Sequence, residues 1–137
     1  MKKAVGVMIL VFLIVTIMVF LFSNDFSKIT RIVYQKYNHS DGNFSELIEI
    51  EDNDTINKLT KILNKANHQN TIYEKEFHED YKLILFYPDE TTETVRIWIN
   101  FGPDYDLLES ETRFGTFKLK NNKSREKLLE ILNYHEN

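Results

Sequence analysis

The chain contains no cysteine. That absence excludes thiol nucleophiles, thiolate metal sites, disulfide staples and a lipid-modified cysteine in one stroke. Its four histidines, His39, His68, His78 and His135, form no H-x-x-x-H pair of the kind that puts two ligands on one helical face. None of the six serines, at 23, 27, 40, 45, 110 and 124, lies in a G-x-S-x-G elbow. With four glycines and two prolines there is no glycine-rich nucleotide loop, and no repeat or low-complexity segment. Positive charge is also short. Lys2 and Lys3 aside, fifteen basic side chains face twenty-one acidic ones, a net charge of about −6 beyond residue 22. Nucleic acid is therefore not an expected partner, because phosphate binding needs clustered Lys and Arg.

What the chain does have is an uncharged run over residues 4–22, interrupted only by the polar Thr16. A helix rises about 1.5 Å per residue and a bilayer core is about 30 Å thick, so roughly twenty apolar residues span it. The run has that length, and its bulky end at residues 19–22 fits a small-residue cleavage site poorly. The expectation is an uncleaved single-pass anchor over residues 1–22. Lys2 and Lys3 would hold the amino end in the cytoplasm and leave the rest outside it. Residues 23–27 read as a juxtamembrane linker, and residues 28–137 as one extracytoplasmic domain.

Within that domain, residues 29–37 are β-branched and aromatic and read as a strand. The turn cluster 38–43, with its Asp41-Gly42 pair, leads to a return strand over 44–51. Ile56, Leu59, Ile62, Leu63 and Ala66 recur at helical spacing behind Asp54, which is placed to cap the first turn. Residues 71–77 are ambiguous and read as an edge strand. Residues 81–87 are nearly continuous apolar, as in a strand covered on both faces. Val95, Ile97, Ile99 and Phe101 alternate with polar neighbours and Trp98, as in a half-buried strand. Residues 106–111 read as a short strand or loop, 113–120 as the last strand, and Leu128, Leu129, Ile131 and Leu132 as the stripe of a final helix. The expected fold is α+β: a transmembrane helix, then an antiparallel sheet of about five strands with two helices on one face, in the order β-β-α-(β)-β-β-β-α.

The stretch Asp80-Tyr81-Lys82-Leu83-Ile84-Leu85-Phe86-Tyr87, an acidic turn, and Thr94-Val95-Arg96-Ile97-Trp98-Ile99 resemble the YhfM-like domain of small bacillar cell-envelope proteins. So does Phe114-Gly115-Thr116-Phe117-Lys118-Leu119 running into the last helix. The resemblance covers most of residues 28–134. It implies an envelope protein of unassigned activity and supplies no catalytic residues.

The candidate sites are few. Glu76, His78, Glu79 and Asp80 could gather round a cation, and Asp104, Asp106, Glu109 and Glu111 form the densest acidic stretch. Neither has the spacing of a known metal loop, so no metal or cofactor is expected. The N-x-S/T triplets at Asn38, Asn43, Asn53 and Asn122 are expected by chance in so asparagine-rich a chain. Trp98 and Arg96 fall on the face opposite Val95 and Ile97. Trp98 is either core or part of an exposed aromatic and charged binding face, and both readings stay open. The functional expectation is a membrane-anchored, non-catalytic binding module with a protein partner in the cell envelope. The alternative is an enzyme or metal-dependent sensor built on carboxylates and His78, which requires a concave pocket where acids converge.

Overall fold

The computed structural model describes residues 2–22 and 24–133, without the side chains of residues 19–22 and 133. Ser23 and His135 lie outside the described residues. The elements run α1 (Lys2–Phe22), β1 (Arg31–Asn38), β2 (Asn43–Phe44), β3 (Ile48–Ile50), α2 (Asn53–Lys65), β4 (Asn67–Gln69), β5 (Tyr81–Phe86), β6 (Thr92–Gly102), β7 (Tyr105–Ser110), β8 (Thr116–Leu119) and α3 (Asn122–Asn133).

Among the described residues, no helix is long and apolar enough to cross a membrane. The described apolar side chains of α1 cover residues 4–18, which rise about 22 Å, short of the roughly 30 Å of a hydrocarbon core. Residues 19–22, which the expected span needs, fall outside the described side chains. The transmembrane helix, the single-pass placement with an extracytoplasmic domain, and the membrane as partner through residues 4–22 are corrected accordingly. What the structure shows is an apolar helix exposed on all faces, from 48% at Ile14 to 74% at Phe12 among its large side chains.

The sheet has eight antiparallel strands instead of about five, ordered β2-β1-β5-β6-β7-β8-β4, with β3 also on β1. Three differences account for the larger count. The return strand breaks into β2 and β3, both on the free edge of β1, where Ser45 interrupts the ladder: its hydroxyl accepts from Lys36 N. β7 forms fully, because Leu107 and Leu108 bury opposite faces of the sheet, each at 1% exposure or less. β4 falls at residues 67–69, directly after α2, while 71–77 form no strand.

Both α2 and α3 pack on one face. The register aligns Tyr34 with Leu83 and Leu83 with Val95, and likewise Ile97 with Leu108 and Leu108 with Phe117. These rows meet Leu59 and Leu63 of α2 and Leu128 and Leu132 of α3 in one core. At about 25 cal/mol per Å2, each such leucine contributes roughly 2 kcal/mol. Asp52, not Asp54, caps α2: its Oδ2 accepts from Thr55 N at 2.9 Å. Asp54 instead pairs with Lys58 one turn on. Residues 24–26 dock where α2 ends. Asn24 Nδ2 donates to the Leu63 and Ala66 carbonyls, Asn64 brackets the Phe26 backbone, and Phe26 enters the core.

Candidate functional site

The opposite sheet face is crossed by residues 70–80, which run from the β4 edge back to the centre, where β5 begins. This strap is apolar enough to look like a strand, but its polar backbone is held by side chains and turns. Trp98 Nε1 donates to the Phe77 carbonyl at 3.0 Å. Tyr73 meets Phe101 edge-on, and its hydroxyl donates to Gln69. Lys75 lies over the Trp98 ring and pairs with Glu109. Trp98 is thereby 8% exposed.

A bulge at the end of β6 completes the site. Register shifts between Trp98 and Gly102, and Asn100 takes φ +51. Asparagine tolerates that backbone better than most residues. Asp106 Oδ1 accepts from Asn100 N at 2.8 Å, and Arg125 Nη2 donates to Asn100 Oδ1 at 2.7 Å, so the distortion is pinned from β7 and α3. The bulge breaks the strand's alternation and brings Phe101 to Tyr73 and Tyr105, on the strap side.

Between strap and bulge lies a cleft of about 600 Å3. Trp98, Ile99, Phe101 and the exposed Phe77 give it apolar walls; Glu74, Glu76, His78, Asp80, His39 and Asn100 supply the polar lining. Asp80 organises one side. Its Oδ2 accepts from Ile99 N at 2.7 Å, its Oδ1 meets His39 Nε2 at 2.8 Å, and its carbonyl accepts from Tyr37 N. His78 stacks on Tyr37 with ring centroids 4.4 Å apart, and Phe44 packs edge-on against Tyr37. The β1–β2 hairpin is thus fastened to the strap, and a second hollow of about 610 Å3 lies within that hairpin alone, sharing His39.

The residues singled out in the sequence separate here. Trp98 lines the cleft. Arg96, two residues earlier, does not: its guanidinium is held by buried Glu79 at 2.6 Å and by Glu111 at 2.6 Å. Of the set Glu76, His78, Glu79 and Asp80, all but Glu79 reach the cleft. The acidic stretch 104–111 disperses along β7: Asp106 pairs with Arg125, Glu109 with Lys75, Glu111 with Arg96. Among the described residues no group of three or more side chains is placed to hold a metal ion. His39, which the sequence places in the 38–43 turn cluster, and Phe101, which it groups with Val95, Ile97 and Ile99 on one strand face, are cleft residues that the sequence did not reveal.

The family model described as YhfM protein matches residues 26–137, and the chain belongs to that family. No curated protein and no solved structure matches it.

Proposed function

We propose that this YhfM-family domain is a non-catalytic binding module and that the cleft between strap and bulge is its recognition site for a small organic ligand. The observation that carries this is the cleft's construction. Binding sites for small molecules are mostly apolar hollows of about 300–1,000 Å3, largely pre-formed, with a few placed polar groups. Here the walls are fixed before any ligand arrives, by the Trp98–Phe77 hydrogen bond, the Asp80–Ile99 hydrogen bond and the pinned bulge. Among the described residues, no hydroxyl or thiol side chain lines the cleft to serve as a nucleophile.

Trp98 is the chain's single tryptophan, so its emission reports on the cleft alone. A screen of small aromatic fragments against the full-length chain is expected to return compounds that shift that emission and the amide resonances of residues 74–80 and 98–101. A diverse set that leaves both unchanged at millimolar concentration ends the proposal.

One observation favours the second reading, an enzyme. Asp80 orients the His39 imidazole within a concave site shared with Glu74 and Glu76, as a general base acting on water would need. Turnover of a bound ligand that disappears in His39→Gln, with binding retained, would establish it. Recovery of every bound ligand unchanged decides for the binding module.

A further inference from the structure

Resting on the binding role proposed above, we infer that the cleft selects ligands that carry a cationic head on an aromatic or aliphatic body. The cations that the described residues place around the cleft are already engaged: Lys75 with Glu109 and the Trp98 ring, Arg96 with Glu79 and Glu111, Arg125 with Asn100 and Asp106. Glu74 and Glu76 are different. Both line the cleft, both are exposed, and neither has an ion pair or hydrogen bond among the described residues. Asp80 adds a third carboxylate, shared with His39. The same cleft is lined by the Phe77 and Phe101 rings and by Trp98, over whose ring Lys75 already lies. Aromatic walls beside two uncommitted carboxylates suit one chemistry: the body of the ligand packs on the rings while an ammonium or guanidinium head gains the carboxylates and the cation–π attraction of the exposed Phe77 ring. An anionic head would meet the same carboxylates as repulsion. The net negative charge of the whole chain acts in the same direction.

The test uses three probes with one aromatic body and three heads: 2-phenylethylamine, 2-phenylethanol and phenylacetate. Each is titrated into the full-length chain and read by Trp98 emission. The amine is expected to bind about tenfold more tightly than the alcohol, with phenylacetate weakest, and added salt should narrow the gap. In the double variant Glu74→Gln/Glu76→Gln the amine should fall to the affinity of the alcohol, while the alcohol is unaffected. Both positions are exposed, so folding is not at issue, and an unchanged thermal midpoint verifies that. Equal affinities for all three probes overturn the cation preference and leave the cleft a binding site. An amine advantage that survives the double variant also overturns it, since these carboxylates would not be its source. Failure of both amine and alcohol to bind removes the preference together with the cleft's proposed role.

Discussion

The two ends of β6 hold carboxylates in opposite circumstances. At its start, Glu93 is 4% exposed and fully provided for: Tyr87 Oη donates to Oε1 at 2.6 Å, Arg113 Nε to Oε2 at 2.7 Å, and Ser110 Oγ to the same oxygen. Arg113 also caps the Asn24 carbonyl and lies 3.8 Å from the Phe26 ring centroid, so this cluster fastens the segment after α1 to the domain. Five to eight residues and roughly 17–26 Å further along β6 is the cleft, where Glu74 and Glu76 remain exposed and uncommitted. Burial with every lone pair satisfied marks a carboxylate that holds the fold together. Exposure beside apolar walls marks one available to something outside it.

The largest expected effect comes from breaking the first end asymmetrically. Arg113→Ala leaves Glu93 buried with two neutral donors, which should cost about 4 kcal/mol and lower the thermal midpoint by more than 10 °C. Glu93→Ala should cost less, because the Arg113 side chain, already 29% exposed, can turn to water. The double variant should therefore be more stable than Arg113→Ala alone; if it is less stable, the cluster is not the coupled unit described.

The same cluster sets the acid and alkaline limits. Burial alone would raise the Glu93 carboxyl, but the hydrogen bonds from Arg113, Ser110 and Tyr87 outweigh it and hold it below its ordinary 4.5. The folded chain then binds fewer protons than the unfolded one. The stabilisation is complete above about pH 4.5 and is lost as pH falls through the depressed value. Tyr87 behaves in the opposite sense. Burial, then its bond to Glu93, pushes its hydroxyl from 10.0 to about 12. Its contribution is intact below pH 10 and disappears as pH rises towards 12. Unfolding midpoints measured across pH should lose the acid shoulder and show a smaller alkaline one in Glu93→Ala, and keep both in cleft variants.

A smaller effect at the same end is expected from Gly115→Ala. Gly115 has φ +88, and a Cβ there would lie 2.2 Å from the Gln69 carbonyl oxygen. The strain should cost about 2 kcal/mol and loosen β4 from β8, seen as faster amide exchange at residues 67–69. Unchanged exchange there would show that the contact at Gly115 does not hold this edge.

Much of the fixed end was legible in the sequence, and little of the cleft was. α2, α3 and the body of β6 follow from apolar spacing alone, since each buries one continuous stripe. The strap misled because Ile72, Tyr73 and Phe77 look like a strand. Ile72 and Phe77 are in fact exposed, and the segment's bonds go to Trp98 and Gln69 instead of a ladder. The His39–Asp80 contact joins positions 41 apart, which no local pattern encodes. Alternation placed Phe101 with Ile97 and Ile99, and the bulge at Asn100 reversed it; the one available hint was an asparagine, tolerant of positive φ, just before Gly102-Pro103. The apolar run at the amino end was the plainest signal of all, yet its described side chains fall short of a span.

The smallest effect is the sharpest contrast. Glu74→Gln/Glu76→Gln removes two charges, as the Arg113 and Glu93 double variant does, but should move the thermal midpoint by less than about 3 °C. No bond is broken, because neither carboxylate has a partner among the described residues, and the substitution relieves repulsion between two acids two positions apart with Asp80 close by. A slight rise is the favoured direction, largest at low salt, where surface charges act furthest. A fall comparable to that of the Glu93 variants would mean that these side chains hold the strap in place. The two ends of β6 would then differ in exposure but not in purpose.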